Sequence, residues 1–552
     1  VGSNSSWLRA DPWRALLILV AVCYGIVQLV VVTPGMGLGW DEAVYVSQVD
    51  PRVPAAEFIA PRARGITLLV APLVQITSST EALRVYLCLL SALALYVSFA
   101  TWLRVRSGPM VPIAALLFAS LWLSLFYGSE AMPNLWVAFG AVAAVGCFLR
   151  CVRPGSGRGP AAGVALSVAA VALLRPPDSI WLVLPLAAAL ARPGWRQAKA
   201  GVALVAGLVA GWADWIVEAY VRFGGPAARW QAAGAANETG LHFSLYEHAR
   251  ALNGPLLCRP PAHCGPVVLP WLLWWLAIPA LVLLGLYAAR RRELLAEYMV
   301  PAAAGLSLAA PYVLLVGYAA PRFLLPAYAL LALPIAHGVL WLLAEPLKPG
   351  LRYAVSGLVA AGFLGQFALQ GLTLEKVAAP RLAKRQADAQ VARALSALGL
   401  RRPCLVYGEH AVMIAYRVGC EAHTVLRWPQ ESAAPAPVQS AQRAGKRVVA
   451  VDMGRSPAAP FLLTWERRPL PAARPGKWHV YLPAEPATTG NPKVLTRRPS
   501  SGAGSDTRPR AAAPRRTAPE AAPHGRSRPE PASSGYGSGT PTAGRAVTAP
   551  RP

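Results

Sequence analysis

Charge is what this 552-residue chain has least of, with Asp, Glu, Lys and Arg together making only 14% of it. A soluble globular protein carries about 25%. Set against a hydrophobic content of 55%, the shortage points to a polytopic membrane protein. Acidic residues are scarcer still, 26 Asp and Glu facing 53 Lys and Arg. The resulting formal charge of +27 would suggest nucleic acid in a soluble chain. No basic stretch here is interleaved with aromatics as a reader of nucleic acid requires, so the charge is assigned to loops on one side of the membrane and to a basic tail. A Gly-rich phosphate loop is absent too, which argues against a nucleotide site. Eight cysteines are too few for a disulfide scaffold.

What the chain does have is long apolar runs. A span needs about twenty largely apolar residues, and eleven stretches qualify, at 14–33, 82–103, 110–127, 134–149, 160–174, 179–191, 200–218, 267–289, 299–317, 323–343 and 352–373. The run Ile66 to Ile76 reads better as an interfacial or re-entrant piece. The first segment lacks a small-residue cleavage site and reads as a retained span. With the N-terminus inside, the inner connections carry Arg104 and Arg106, then Arg150, Arg153 and Arg158, then Arg192, Arg196 and Lys199, then Arg290, Arg291 and Arg292, then Lys348 and Arg352. Every inner loop is then basic, as the positive-inside rule demands.

The expected fold class is therefore mainly α: a polytopic bundle of about 11 transmembrane helices over residues 1–375, followed by a small extracytoplasmic α/β domain at 376–485. In that domain Arg381 to Leu398 reads as an amphipathic helix and Ala411 to Val418 as a second helix. Short strands are expected around Cys404–Tyr407, Ala422–Leu426, Arg447–Val451 and Trp478–Tyr481. Residues 486–552, rich in Pro, Ala, Gly, Ser and Arg, have too few large apolar residues to bury a core and read as a disordered basic tail.

This topology puts two cysteine pairs outside, in an oxidising compartment. Cys258 and Cys264 close a short loop and suggest a disulfide, with a zinc site using His263 as the weaker rival. Cys404 and Cys420 flank the first helix of the small domain and suggest a second. Asn237-Glu238-Thr239 fits a glycosylation sequon.

The chemistry-bearing groups gather at the outer ends of the spans. Gly39-Trp40-Asp41-Glu42-Ala43-Val44-Tyr45 follows the first span, and two adjacent carboxylates there are a functional-site hypothesis by default. The bland alternative is a solvated pair in which Asp41 caps a loop helix and Glu42 sits in its first turn. Arg62 and Arg64 follow in the same loop, Glu130 and Asn134 lie in the second, Arg175 in the third, and Arg322 is a lone charge between apolar runs. Arginines at a membrane boundary suit a lipid-linked phosphate, because guanidinium binds phosphate bidentately and stays protonated. A nearby carboxylate suits a general base acting on an acceptor hydroxyl. Against this, Arg175 is compatible with snorkelling to headgroups, Arg62 and Arg64 with unselective lipid contact, and Glu130 with a plain span end. His242 and His248 read as solvated.

The acidic pair after the first span, Tyr45 three residues on, and a basic stretch leading into Leu68-Leu69-Val70-Ala71-Pro72-Leu73 resemble the GT-C superfamily of membrane glycosyltransferases. The polyprenyl-phosphate-sugar branch, with protein O-mannosyltransferases and lipid A aminoarabinose transferases, is the nearest likeness. Pro321-Arg322-Phe323-Leu324-Leu325-Pro326 is similar to that branch's Arg-aromatic-Leu-Leu-Pro segment. Where the branch often has a basic residue before two prolines, this chain has Ala63-Arg64-Gly65-Ile66.

The resemblance implies a multi-pass cell-membrane enzyme with its active site outside, moving a sugar from a polyprenyl phosphate to a hydroxyl on a cell-wall glycan, lipid or protein. Asp41 would be the base, Glu42 its neighbour at the donor or at a divalent cation, and Arg322 a ligand of the donor phosphate. Tyr45, Arg62, Arg64 and Arg175 are the further substrate-binding candidates. Two rivals remain open. A transporter or lipid flippase would place its charges near the midplane and often show paired halves. An inactive GT-C-like scaffold for cell-envelope assembly would keep the fold alone.

Overall fold

The computed structural model describes residues 11–425, 427–454, 458–470 and 478–483. All eleven apolar stretches are helical. The chain runs through α1 (Pro12–Val27, prolonged by a π-turn Gln28–Val32), α2 (Trp40–Ser47), α3 (Gly65–Val74), α4 (Thr80–Leu103), α5 (Met110–Ala119), α6 (Trp122–Gly128), α7 (Pro133–Cys151), α8 (Arg158–Leu174), α9 (Pro176–Ala189) and α10 (Ala198–Arg222). It continues through α11 (Pro226–Ala236), α12 (Leu245–Ala251), α13 (Leu269–Arg291), α14 (Leu295–Leu314), α15 (Leu325–Ala344) and α16 (Pro349–Ala397).

By length and composition, seven of these helical segments can cross a membrane, and an eighth can if α5 and α6, bent by 74°, count as one span. The protein is thus a multi-pass membrane protein. α8 is apolar but shorter, and the Ile66–Ile76 run forms the short helix α3.

α7 and α15 form the centre of the bundle, with 83% and 78% of their apolar windows buried, whereas α13 and α16, at 22% and 11%, keep apolar side chains on the outside. That is how a bundle solvated by lipid is built: association comes from close packing rather than from removing apolar surface from water. Small residues let the backbones approach. A Cβ on Gly285 of α13 would lie 2.0 Å from the Pro334 carbonyl oxygen of α15, and one on Gly211 of α10 would lie 2.4 Å from the Ala172 Cβ of α8.

α16 is one continuous helix of 49 residues. It carries the last apolar stretch at its start and the amphipathic Arg381–Leu398 segment at its end, so the expected division at residue 375 falls inside a single rod. Beyond it lie β1 (Cys404–Gly408), α17 (Ala411–Val418), β2 (Glu421–Thr424), α18 (Ala436–Arg443), β3 (Arg447–Asp452), β4 (Glu466–Pro469) and β5 (His479–Leu482). The sheet order is β2-β1-β3-β5-β4, with β1 parallel to both neighbours and β5 antiparallel to both of its own.

The inner strand β1 is buried along its whole length, as parallel strands covered on both faces are. Val406, Val449 and Val480 pack on one face against Val391 and Leu395 of α16 and Ile414 of α17. Leu405, Tyr407 and Ala450 pack on the other with Trp428, Val438 and Phe461. α18 and β4 went unforeseen because their sequences are polar. Residue Leu426, the His263 side chain and the tail at 486–552 lie outside the described residues.

Both disulfides form, Cys258–Cys264 and Cys404–Cys420, while Cys23, Cys88, Cys147 and Cys151 are free thiols. The zinc alternative is set aside because Cys258 and Cys264 are bonded to each other. One solvated histidine becomes a buried one. His248 is 1% exposed because the loop folds back on Tyr312, whose carbonyl its Nε2 meets at 3.2 Å, and burial holds the imidazole down at about 4. His242 is exposed, as expected.

Alkylation of the unfolded, unreduced protein followed by mass spectrometry is expected to label only the four free thiols. Opening the Cys404–Cys420 bridge by Cys→Ser exchange is expected to cost the sheet layer about 2–4 kcal/mol, read as a lower unfolding midpoint.

Candidate active site

α2 starts at the exit of the first span, and its first turn holds both carboxylates. Gly39 is the N-cap, and Glu42 reaches back to accept the Gly39 N–H at 2.8 Å. Consecutive helical residues point about 100° apart, so the two acids part company. Glu42 turns into the protein and is 1% exposed, whereas the Asp41 side chain keeps 38% exposure.

Arg84, the single charge inside the apolar stretch 82–103, meets Glu42 with both ends of its fork. Nη1 donates to Oε1 at 2.6 Å and Nη2 to Oε2 at 2.8 Å. The same guanidinium donates to the carbonyls of Met36, Gly37 and Ser129. The Ala131 N–H donates to Glu42 Oε1 at 2.8 Å. From α16, Arg385 Nη1 lies 3.5 Å from Glu42 Oε2 and 2.6 Å from Glu130 Oε1. Two arginines thus hold two buried glutamates and join α2, α4, the 129–131 turn and α16.

Burial opposes the Glu42 charge, but Arg84 and Arg385 hold its carboxyl below the ordinary range. Glu130, desolvated and beside the Glu42 charge, is pushed above it. Glu130 is therefore no plain span end.

Asp41 has different neighbours. Arg62 Nη2 donates to Oδ1 at 2.7 Å, and Arg322 Nη2 lies 3.7 Å from Oδ2. Arg322 arrives from the turn that opens α15. Its Nη1 donates to the Leu256 carbonyl at 3.3 Å, and its buried Nε has no hydrogen-bond partner among the described residues. The Phe323 ring lies 5.3 Å from the Arg322 guanidinium and 5.5 Å from that of Arg175. Arg175 also pairs with Asp178 at 3.2 Å. Tyr45 stands edge-on to Phe58 with the Arg62 guanidinium 6.0 Å from its ring. Burial pushes its phenol up, and Arg62, Arg175 and Arg322 pull it down. Asp41, Tyr45, Arg62, Arg175 and Arg322 are thus brought together.

Arg64 is not. It points to α10, donating to Glu218 Oε1 at 2.5 Å and to Gln48 at 3.1 Å. The fully buried Arg229 completes that clamp, donating to Glu218 Oε2 and to the carbonyl of Arg62, both at 2.8 Å. Arg64 and Arg229 fix the loop that presents Arg62.

Glu42 is enclosed by guanidiniums and N–H donors. A divalent cation does not fit between the acids, since their oxygens face arginine nitrogens. Among the described residues no group of three His, Cys, Asp or Glu is placed to hold a metal.

Arg84, Arg385, Glu218 and Arg229 are the members that reading the sequence missed. Arg84 carried the clearest signal, because an ionisable side chain inside a span is itself a functional-site hypothesis.

No family model and no curated relative matches the sequence. Solved structures do match the fold. ArnT from Cupriavidus metallidurans, bound to undecaprenyl phosphate, superposes with a TM-score of 0.58 at 13% identity, over 86% of this chain and 98% of that one. Its apo state gives 0.55 at 14%, over 85% and 97%. The Archaeoglobus fulgidus oligosaccharyltransferase gives 0.51 at 14%, over 81% and 70%. The chain shares the fold of these membrane glycosyltransferase structures.

Arg84→Ala strands the buried Glu42 charge and is expected to cost about 3–5 kcal/mol, seen as a lower thermal midpoint in detergent. A carboxylate held below its ordinary value stabilises fully above that value and less as pH falls through the lowered one. The variant's deficit is therefore expected to shrink below the ordinary value of 4.5.

Proposed function

We propose that the chain is an integral membrane glycosyltransferase that moves a sugar from a polyprenyl-phosphate donor to a hydroxyl acceptor at the extracytoplasmic face, with inversion. One observation carries this reading: Arg322, from a late span, meets Asp41, from the first loop, with Arg62 on the acid's other oxygen. A transporter site at the midplane or a lipid-snorkelling arginine has no need of that meeting. The ArnT structure of the same fold was solved with undecaprenyl phosphate, a ligand of the proposed donor class.

The chemistry follows from the competition for the guanidiniums. A phosphate offers each arginine two parallel hydrogen bonds, so Arg322 and Arg62 turn to the donor and release Asp41. Asp41 then takes the proton of the acceptor hydroxyl as that oxygen attacks the anomeric carbon from the side opposite the phosphate. The bond from carbon to phosphate oxygen breaks, configuration inverts, and the arginines meet the charge on the departing polyprenyl phosphate. Arg175 and Tyr45 line the donor side. Glu42 and Arg64 are positioning residues. Glu42 fixes the turn that aims Asp41, and Arg64 fixes the loop that carries Arg62. The basic connections on the opposite side support an outward-facing site, with a cell-wall glycan, lipid or protein as acceptor.

Asp41→Asn is expected to lower turnover by about 10²–10⁴-fold, because an amide accepts no proton, while binding of undecaprenyl phosphate persists. Turnover close to wild type would remove Asp41 from the base role. Arg322→Lys, which loses the fork, is expected to weaken undecaprenyl phosphate binding, and Arg322→Ala to weaken it more, with the thermal midpoint little changed. Unaltered binding in both variants would sink the phosphate assignment.

A further inference from the structure

A second cluster of arginines, sharing no residue with the contacts of Asp41, lines a cleft of ≈ 560 Å³ between the loops flanking α3 and the sheet layer. Arg52, Arg401, Arg402, Arg417, Tyr416 and Thr80 are among the residues that line it, and among the described residues no acidic one does. Its charge is only partly balanced. Arg52 is paired with Asp50 at 2.7 Å, and Asp50 also accepts from the Tyr416 hydroxyl at 2.8 Å. Arg402 Nε donates to the Gly419 carbonyl at 2.5 Å. Arg401 and Arg417 have no carboxylate within 4.0 Å and donate no hydrogen bond among the described residues. Asp388, the acid whose field reaches Arg417, is occupied by His410 Nδ1 at 2.6 Å.

Four arginines from three separate segments therefore line one opening, and two of them, Arg401 and Arg417, have no carboxylate partner among the described residues, the Arg417 Nη2 lying against Gly37. Like charges gathered this way repel one another unless an anion joins them. The size suits a small organic ligand, and the planar forks suit phosphate oxygens. Hydroxyls at Thr80 and Ser78, where the membrane helix α4 begins, put the cleft at an end of a span.

We infer that this cleft binds a phosphate-bearing ligand at a site separate from the Asp41 cluster. Two sources share that chemistry, a lipid headgroup at the bilayer edge and a free phosphomonoester. Carboxylate ligands fit less well, since one planar carboxylate engages one fork whereas a phosphate presents oxygens in several directions.

The test uses the full chain in a neutral detergent with two probes. Glycerol 3-phosphate is titrated by calorimetry, and phosphatidylglycerol retained from mixed micelles is counted by native mass spectrometry. The variants are Arg401→Ala combined with Arg417→Ala, and Arg401→Glu alone. Both side chains are exposed, so neither change opens the core. Arg322→Ala serves as the control for the Asp41 cluster.

The double variant is expected to weaken binding by about tenfold or more, the scale of a lost charge-assisted contact. Arg401→Glu is expected to weaken it as well, and Arg322→Ala is expected to leave it unchanged. Cleft-dependent binding of glycerol 3-phosphate identifies a soluble ligand, and retention of phosphatidylglycerol alone identifies a headgroup. The inference is overturned if neither probe binds the wild type, if the cleft variants bind both probes as the wild type does, or if binding is lost only in Arg322→Ala. Because the readout is binding at residues outside the transfer site, its failure leaves the glycosyltransferase reading standing.

Discussion

The buried fork between Arg84 and Glu42 is the constraint on which the rest of the site depends. Taking two charges out of water costs several kcal/mol for each ion. Here both oxygens of Glu42 meet the guanidinium, and backbone N–H groups of Gly39 and Ala131 add to them. Arg84 in turn ties down the carbonyls of the loop leading into α2. The direction of Asp41 is thereby a consequence of its neighbour. With Glu42 anchored inward, the residue before it on the same turn is held at the opening.

A second clamp, one glutamate among three arginines, frames the other side of the loop. Glu218 of α10 gathers Arg64, Arg222 and Arg229, and Arg229 also holds the carbonyl of Arg62. Each clamp is centred on a glutamate that touches no substrate in the proposed reaction, and each positions one member of the Asp41–Arg62 pair, Asp41 with 38% of its side chain exposed and Arg62 with 12%. The polar site is rigid because its supports are buried ion pairs satisfied by several donors, which in a low-dielectric interior are far stiffer than exposed ones.

Much of this was legible in the sequence. Apolar runs located the seven helical segments long and apolar enough to cross a membrane, since lipid permits only segments that satisfy their own backbone. Alternation of short apolar runs located four of the five strands. The motifs around Asp41 and Arg322 marked two segments that the fold brings together. The roles inside the Asp41–Glu42 pair were not legible, because adjacent identical charges differ only in the direction in which the helix turns them. Arg84 was passed over as one polar residue in a good span, although its isolation was the signal. Arg229 and Arg385 gave no local signal, because their partners lie on distant segments. β4, reading Glu466-Arg467-Arg468-Pro469, is fully exposed along its length, so no burial pattern betrays it.

The continuity of α16 imposes a phase on the molecule. Near the middle of the rod, Gln370 Oε1 accepts the N–H of Trp122 at 3.0 Å, and further along Arg385 reaches Glu130. Both contacts are buried, and the helix between them has no loop to absorb a change in length. Inserting or deleting a single residue in that interval would turn everything beyond it by about 100° and slide it by about 1.5 Å. Arg385 would swing off the glutamates, and the sheet would be carried round the bundle with it. Substitutions along the interval are mechanically mild by comparison. The exposed positions of the segment are therefore free to change identity while Thr373, Leu374, Val377 and Ala378 are buried and its length stays fixed, a ruler built into the helix.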